Sequence, residues 1–217
     1  MKEEIKAVIF DIGGVLQIPH YYVQKNNKEF SGIHEMIAQE LHLPPDNWFD
    51  AIDLLYAHAT IGAVSKKRFI QEVSRKLNVS QPKLLHAIKK SYKKHLKRNN
   101  ELYALAAKLK KNRHIVGILS DQWPLSRENM FPPQDKKQFD FAIISYEVKT
   151  RKPEQKIYQL LLKKIRQKNK NIKPHQIVFI DDKKYNLTPA KKLGIHTIQF
   201  HNNKQVINEL KKLKVTM

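Results

Sequence analysis

Polar side chains stand where short apolar runs end, and their types are those that bind and attack phosphate. Ala7-Val8-Ile9-Phe10 ends in Asp11, Ile115-Val116-Gly117-Ile118-Leu119 ends in Ser120-Asp121, and Ile177-Val178-Phe179-Ile180 ends in Asp181-Asp182. If the runs carrying Asp11 and Asp181 are neighbours, the carboxylates of Asp11, Asp181 and Asp182 meet at one edge of a sheet. Such a cluster repels itself unless a cation neutralises it or a proton is shared. Oxygen ligands without Cys or His point to a hard cation, with Mg2+ favoured where phosphate is the substrate. A free Asp carboxylate is also a nucleophile able to form an aspartyl-phosphate. Lys152 can neutralise charge on a substrate and in the transition state, and Ser120 can hydrogen-bond phosphate oxygens. Any one of these residues alone passes for an ordinary cap or turn residue. The set, in this order at strand ends, does not.

The elements that must position them follow from the hydrophobic pattern. Continuous apolar runs of this length, with Phe141-Ala142-Ile143-Ile144 and Ile195-His196-Thr197-Ile198 beside those above, suit strands buried on both faces of a parallel sheet. Ligands bind at the carboxyl ends of such strands. Helical periodicity fills the gaps: Leu102, Leu105, Ala106 and Leu109; Ile157, Leu160, Leu161 and Ile165; Val206, Ile207, Leu210 and Leu213. Gly194 sits where a C-terminal cap precedes the last strand. Strands alternating with helices predict a doubly wound α/β core. The stretch from Gln17 to about Lys97 has no convincing strand. Its helical faces are Ile33-Met36-Ile37-Leu41, Phe69-Val73-Leu77 and Leu84-Leu85-Ile88, the last with Ser80 as N-cap and Pro82 in the first turn. Pro44-Pro45 marks a break. The expectation is an all-α insertion over 17–98, with 1–16 and 99–217 forming the core. The Lys-rich run from Lys89 to Arg98 reads as a solvated helix face.

The chain has 217 residues, ample for a core, and 41 % of them are apolar, which excludes a disordered chain. There is no Cys, so disulfides, thiolate metal sites and Cys nucleophiles are excluded. No apolar stretch approaches the ~18 residues of a membrane span, and the N-terminus does not read as a signal peptide. The expectation is a soluble cytoplasmic protein without a membrane partner. The formal net charge is +21, which suits acidic partners such as phosphorylated metabolites, nucleic acid or anionic lipid. The basic residues are scattered, and Lys, Asn and Ile are all frequent, so a genome-wide compositional bias is the plain explanation.

The segment Phe10-Asp11-Ile12-Gly13-Gly14-Val15-Leu16 resembles the first motif of the haloacid dehalogenase-like (HAD) hydrolases. Leu119-Ser120-Asp121 resembles the second motif. Lys152-Pro153 with Ile157-Tyr158 resembles the third, and Phe179-Ile180-Asp181-Asp182 with Asn186, Ala190 and Gly194 the fourth. All four come in the family's order, and the 109 residues from Asp11 to Ser120 leave room for the family's helical cap. The resemblance implies Mg2+-dependent hydrolysis of a small phosphomonoester through an aspartyl-phosphate. It makes Asp11 the nucleophile and a metal ligand, and the Gly13 carbonyl a second ligand. It has Ser120 hold the phosphoryl oxygens and Lys152 pair with Asp11 and the phosphate. It has Asp182, helped by Asp181, complete the Mg2+ site, and makes Asn186 a hydrogen-bonder at a helix start.

The departures matter. Family phosphatases usually carry a second Asp two residues after the nucleophile, which protonates the leaving group and then activates water. Gly13 stands there, so the resemblance narrows to a branch with a Phe-Asp-x-Gly-Gly first motif. General acid–base catalysis is worth ~10²–10⁴-fold, and turnover by the usual route should suffer accordingly. Asp121 stands where Asn is common in the branch and reads as the cap of the turn before Trp123-Pro124. Lys183 and Lys184 follow the acidic pair and either moderate its charge or, the favoured reading, are exposed helix-start lysines. His20, Tyr21 and Tyr22 enter the insertion, facing the substrate or packing at a hinge. Two rival functions stand beside the phosphatase. One is a metal-independent haloacid dehalogenase. The other is a degenerate non-catalytic member that binds phosphorylated ligands or nucleic acid, the nucleic acid being the less favoured partner.

Overall fold

A computed structural model of the chain describes residues 4–19 and 32–217. His20, Tyr21 and Tyr22 lie outside the described residues. In chain order the strands are β1 (Ala7–Phe10), β2 (Gln17–Pro19), β3 (Leu96–Arg98), β4 (Ile115–Ser120), β5 (Phe141–Ile144), β6 (Ile177–Asp181) and β7 (His196–Gln199). The helices are α1 (Ile33–Glu40), α2 (Pro45–Thr60), α3 (Lys66–Leu77), α4 (Gln81–His95), α5 (Asn100–Lys111), α6 (Pro124–Met130), α7 (Pro133–Lys136), α8 (Ser145–Val148), α9 (Gln155–Lys168), α10 (Lys184–Lys192) and α11 (Asn203–Lys212).

β1 lies at the centre of a parallel sheet of order β5-β4-β1-β6-β7, as its four fully buried residues require. The alternation along β1 divides the core. Val8 and Phe10 face a cluster with Leu102 and Leu109 of α5 and Val206 and Leu210 of α11, whereas Ala7 and Ile9 face Ile157 and Leu161 of α9 and Ala190 of α10. Helices on both faces satisfy apolar strands that have no wet side. The fold is the expected doubly wound α/β sheet. Its register fixes the chemistry: Phe10 pairs with Ile118 of β4 and with Ile180 of β6. Asp11 is therefore level with Asp181 on one side and one residue short of Ser120 on the other.

Helices α1 to α4 leave the core between β2 and β3, and these two strands form an antiparallel ribbon with Ile18 opposite Lys97. The sequence shows no strand here, because three residues are too few to display a period. Pro44-Pro45 is likewise not only a break. Pro45 is the first residue of α2, where its missing N–H loses no helical hydrogen bond. Trp48, Ala51, Ile52 and Ala59 are its buried face. Ser80 caps α4 as expected, accepting from the Lys83 amide.

The four-helix insertion is seated on the core along one edge. Trp123, after β4, packs on Phe69 of α3 and Tyr56 of α2 with ring centroids 4.7 and 5.7 Å away. Its Nε1 donates to the Tyr92 hydroxyl at 3.2 Å. His34 completes this aromatic cluster; it accepts from Trp48 Nε1 at 3.2 Å, and burial pushes its pKa down to about 4, so it stays neutral. The Ser145 hydroxyl donates to the Thr60 carbonyl at 2.6 Å. Gly62, at φ +67°, approaches so closely that a Cβ there would lie 2.2 Å from the Tyr146 carbonyl oxygen. Gly62→Ala should destabilise the protein by about 2 kcal/mol or more, from the left-handed backbone and the backbone clash together. Urea unfolding measures the loss, and Ala63→Gly is the control expected to cost less.

Candidate active site

Lys152 is the centre of the site. Its ammonium is buried and lies 2.9 Å from Asp11 Oδ2 and 2.6 Å from Asp181 Oδ2. Burial alone would favour loss of its proton, but the carboxylates of Asp11, Asp181 and Asp121 outweigh that and raise its pKa above the usual lysine value. Asp181 is held from all sides. Its Oδ1 accepts from the Lys183 amide at 2.8 Å and Asn186 Nδ2 at 3.0 Å, and Oδ2 lies 3.1 Å from the same Nδ2. The Asn186 carbonyl in turn accepts from the Tyr158 hydroxyl at 2.5 Å. Asn186 is thus a hydrogen-bonder at the start of α10 that orients Asp181.

Asp11 is presented at the end of β1 with its amide donating to the Ile180 carbonyl at 2.9 Å and its Oδ1 accepting from the Ile12 amide at 2.7 Å. The Ser120 hydroxyl stands on the Asp11 side and favours the charged form of the Asp11 carboxylate. Gln122, which sequence reasoning passed over, donates to Ser120 Oγ at 3.0 Å and so directs that hydroxyl's proton elsewhere. Burial pushes the Asp11 pKa from 3.8 up to about 8; Lys152 and Ser120 oppose the rise, and the charges of Asp181 and Asp182 add to it. Asp182 is half-buried, and its pKa is raised by burial against the pull of Lys183, whose Nζ lies 3.1 Å from Oδ2. Lys183 is exposed, as the sequence reading has it, and it also pairs with the acidic group. Gly14, not Gly13, takes the positive φ of +76°, and a Cβ there would come within 2.6 Å of the Asp182 carboxylate.

Asp121 differs from expectation. Its Oδ1 accepts from the Lys152 amide at 3.0 Å, so it holds the Lys152 loop, while the turn at Trp123 is closed by Ser126 Oγ. At Gly13 an added Cβ would meet, among the described residues, only Met130 Cε, at 3.6 Å. A cleft of about 810 Å3 opens over these groups, with Asp11, Gly13, Lys152 and Asp182 on the core side and Tyr56 and Tyr92 on the insertion side. The two tyrosines are cleft residues that no sequence motif marks, because nothing in the sequence shows which face of an inserted helix meets the core.

Asp11, Asp181 and Asp182 each bring a carboxylate oxygen to within 4.8 Å of the others. Oxygen-only donors at this spacing fit a hard divalent cation, and the missing Gly14 side chain leaves the Asp182 carboxylate in place to serve.

The sequence profile of the haloacid dehalogenase-like hydrolases matches residues 8–200, nearly the whole chain. The chain belongs to this family. Among curated relatives, bifunctional epoxide hydrolase 2 of Mus musculus is 41 % identical over 78 residues, which is 36 % of this chain and 13 % of that protein. The chain spans between 9 % and 39 % of the length of the curated relatives it matches. Among solved structures, a HAD-like hydrolase of Porphyromonas gingivalis superposes with a TM-score of 0.73 at 20 % identity, covering 99 % of this chain and all of the other. A HAD family enzyme of Bacteroides thetaiotaomicron, solved with magnesium and inorganic phosphate, superposes with a TM-score of 0.69 at 20 % identity, covering 93 % and 98 %. At this identity the likeness is one of fold. Among the described residues no helix is long and apolar enough to cross a membrane.

Within this HAD-family site, folding raises the Asp11 pKa, so the folded chain keeps a proton that the unfolded chain has released between about pH 4 and pH 8. Metal-free stability should therefore fall as pH rises through that window. Asp11→Asn removes the buried charge and should stabilise the metal-free protein at pH 8 by about 1–2 kcal/mol, as substitutions of strained active-site groups do. Thermal melts of both proteins at pH 5 and pH 8 check this; a gain that is no larger at pH 8 contradicts it.

Proposed function

We propose that this chain is a phosphomonoesterase of the HAD family that uses Asp11 as nucleophile and Mg2+ as cofactor, with 17–98 as a cap over a core of 1–16 and 99–217. The observation that carries the reading is the buried Lys152 ammonium shared by Asp11 and Asp181, beside a third carboxylate, Asp182, whose oxygen lies within 4.8 Å of theirs. The structure solved with magnesium and inorganic phosphate supports it by analogy of fold. Asp11, Asp182, the Gly13 carbonyl and Asp181 would hold the ion, which when bound neutralises the carboxylates and draws charge from phosphoryl oxygens. A carboxylate oxygen of Asp11 attacks phosphorus, the bond to the leaving oxygen breaks, and with no side chain at Gly13 that oxygen takes its proton from solvent. Water then attacks phosphorus, gives its proton to solvent, and the P–O bond to Asp11 breaks to release inorganic phosphate. Lys152 balances the negative charge in both steps, and the Ser120 hydroxyl donates to a phosphoryl oxygen.

The haloacid reading needs no cation, and the carboxylate cluster tells against it. A panel of sugar, nucleotide and small organic phosphates, run with Mg2+ and with EDTA beside a haloacid assay, tests the proposal. Mg2+-dependent phosphate release supports it, and metal-free halide release overturns it. Asp11→Asn should abolish turnover with the fold intact. Lys152→Ala should lose ~10²-fold or more, a typical loss for a preorganised donor, and Lys184→Ala should change little.

Gly13 leaves the acid–base position open. The wall beside it is a methionine methyl at ordinary contact distance, and its φ is not in the left-handed region. Gly13→Asp should fit, and should raise the rate on alkyl phosphates, whose leaving oxygen needs a proton, by ~10-fold or more. Aryl phosphates leave without much protonation and should change less. The measurement is the alkyl-to-aryl ratio of kcat/KM in each protein. A folded variant with an unchanged ratio shows that the empty position does not limit the site.

A further inference from the structure

Cations are spread along the sequence, but acids are not. Between Glu154 and Glu209 the only acidic residues are Asp181 and Asp182, and both belong to the cleft. This acid-free span builds α9 and α10, which pack side by side against the same core cluster on one face of the sheet. On α9 the outward residues Lys156, Gln159, Lys163 and Arg166 recur at intervals of three and four, all exposed, which aligns them on one stripe. On α10 the exposed Lys184, Thr188 and Lys191 do the same, with Lys192 beside them.

Some of the cations elsewhere have partners: Lys90 and Lys94 pair with Glu40, Lys66 with Glu128, Lys110 with Asp140 and Arg98 with Asp135. Lys83, Lys89, Lys93 and Lys97 of the insertion make no ion pair with a described residue and serve below as the comparison. On the α9–α10 face, Lys156, Lys163, Arg166, Lys191 and Lys192 make no ion pair with any described residue. From Lys156 to Arg166 the stripe is about 15 Å long, at ~1.5 Å rise per residue, a span of about four steps along one strand of a duplex.

We propose that this face is a binding surface for the phosphodiester backbone of nucleic acid, read without regard to base sequence. Lysine, arginine and amide side chains at helical intervals donate to phosphate oxygens and release condensed counterions. The chemistry of the face favours nucleic acid over a lipid surface. The exposed large apolar side chains among the described residues are Phe49, Leu54 and Tyr185. The first two stand on α2; Tyr185 stands at the start of α10, beside the cleft. The α9 stripe thus carries no apolar anchor, and α10 carries a single aromatic ring, which is less than an amphipathic helix needs to enter a bilayer. This proposal does not depend on the phosphatase reading.

The test uses the full chain and a fluorescent RNA or DNA oligonucleotide of about 30 nucleotides, followed by anisotropy at about 100 mM and 200 mM KCl. Lys163→Glu, Arg166→Glu, Lys191→Glu and Lys192→Glu together remove the stripe. Lys83→Glu, Lys89→Glu, Lys93→Glu and Lys97→Glu change the net charge equally on the insertion. Circular dichroism confirms folding, and the corresponding four-Gln variants give the same comparison with a smaller charge change. The expected result is salt-dependent binding that weakens at least ~10-fold in the first variant and less than ~3-fold in the second. Equal weakening in both assigns the binding to bulk charge and overturns the proposal. So does the absence of wild-type binding at the lower salt. Binding to phosphatidylserine vesicles that the first variant alone loses, with oligonucleotide binding unchanged, overturns it in favour of a membrane.

Discussion

The site depends on one buried cation. An ammonium taken out of water is costly unless carboxylates and hydrogen bonds surround it. Lys152 meets that condition by sitting between Asp11 and Asp181, while Asp121 holds its backbone. The same contacts bind three strand ends together. Asp11 follows β1, Asp181 ends β6 and Asp121 follows β4, so the loop bearing Lys152 is pinned to the middle of the sheet rather than left to solvent. Asn186 and the Lys183 amide then fix Asp181 from the α10 side. Burial raises the pKa of Asp11; the one ammonium opposes the rise without cancelling it, and the charges of Asp181 and Asp182 add to it. A divalent ion would supply further positive charge here.

Much of this is legible in the sequence because a parallel sheet leaves plain marks. Strands buried on both faces are unbroken apolar runs, and the polar residue that ends each run is the one that reaches the cleft. Asp11, Ser120 and Asp181 are found in that way, and the register of β1 with β4 and β6 brings them together. Lys152 and Gly13 carry no such mark, and only their place in an ordered set of motifs singles them out. What stays hidden has physical causes. Asp121 reads as a turn cap because its true partner, the Lys152 amide, is far along the chain. Gln122 has no pattern, since orienting a hydroxyl takes a single hydrogen bond. β2 and β3 are too short to show a period, and Tyr56 and Tyr92 enter the cleft through the packing of helices whose outer faces look alike in sequence.

The insertion and the core are not independent bodies laid side by side. Trp123 belongs to the loop that follows Ser120 and Asp121, yet its ring is enclosed by Phe69 and Tyr56 of the insertion and its N–H is held by Tyr92. Ser145 links Thr60 to the Gln122 amide through one hydroxyl. Any tilt of the insertion at this edge is therefore transmitted to the loop that carries the hydroxyl facing Asp11. The cleft wall and the floor of the site share a lever only two or three residues long.

The ribbon of β2 and β3 has a consequence for the history of such a chain. Where the insertion leaves and returns, the Leu16 carbonyl already accepts from the Asn99 amide at 2.9 Å, and Asn99 Nδ2 reaches the Val15 carbonyl at the same distance. The two ends are neighbours before anything is placed between them. To the sheet, the eighty-odd residues in between are a side branch on a closed stem. A gene can lengthen, shorten or replace such a branch without altering the register of a single core strand, so the part that shapes the cleft wall is free to drift while the part that holds Lys152 stays fixed.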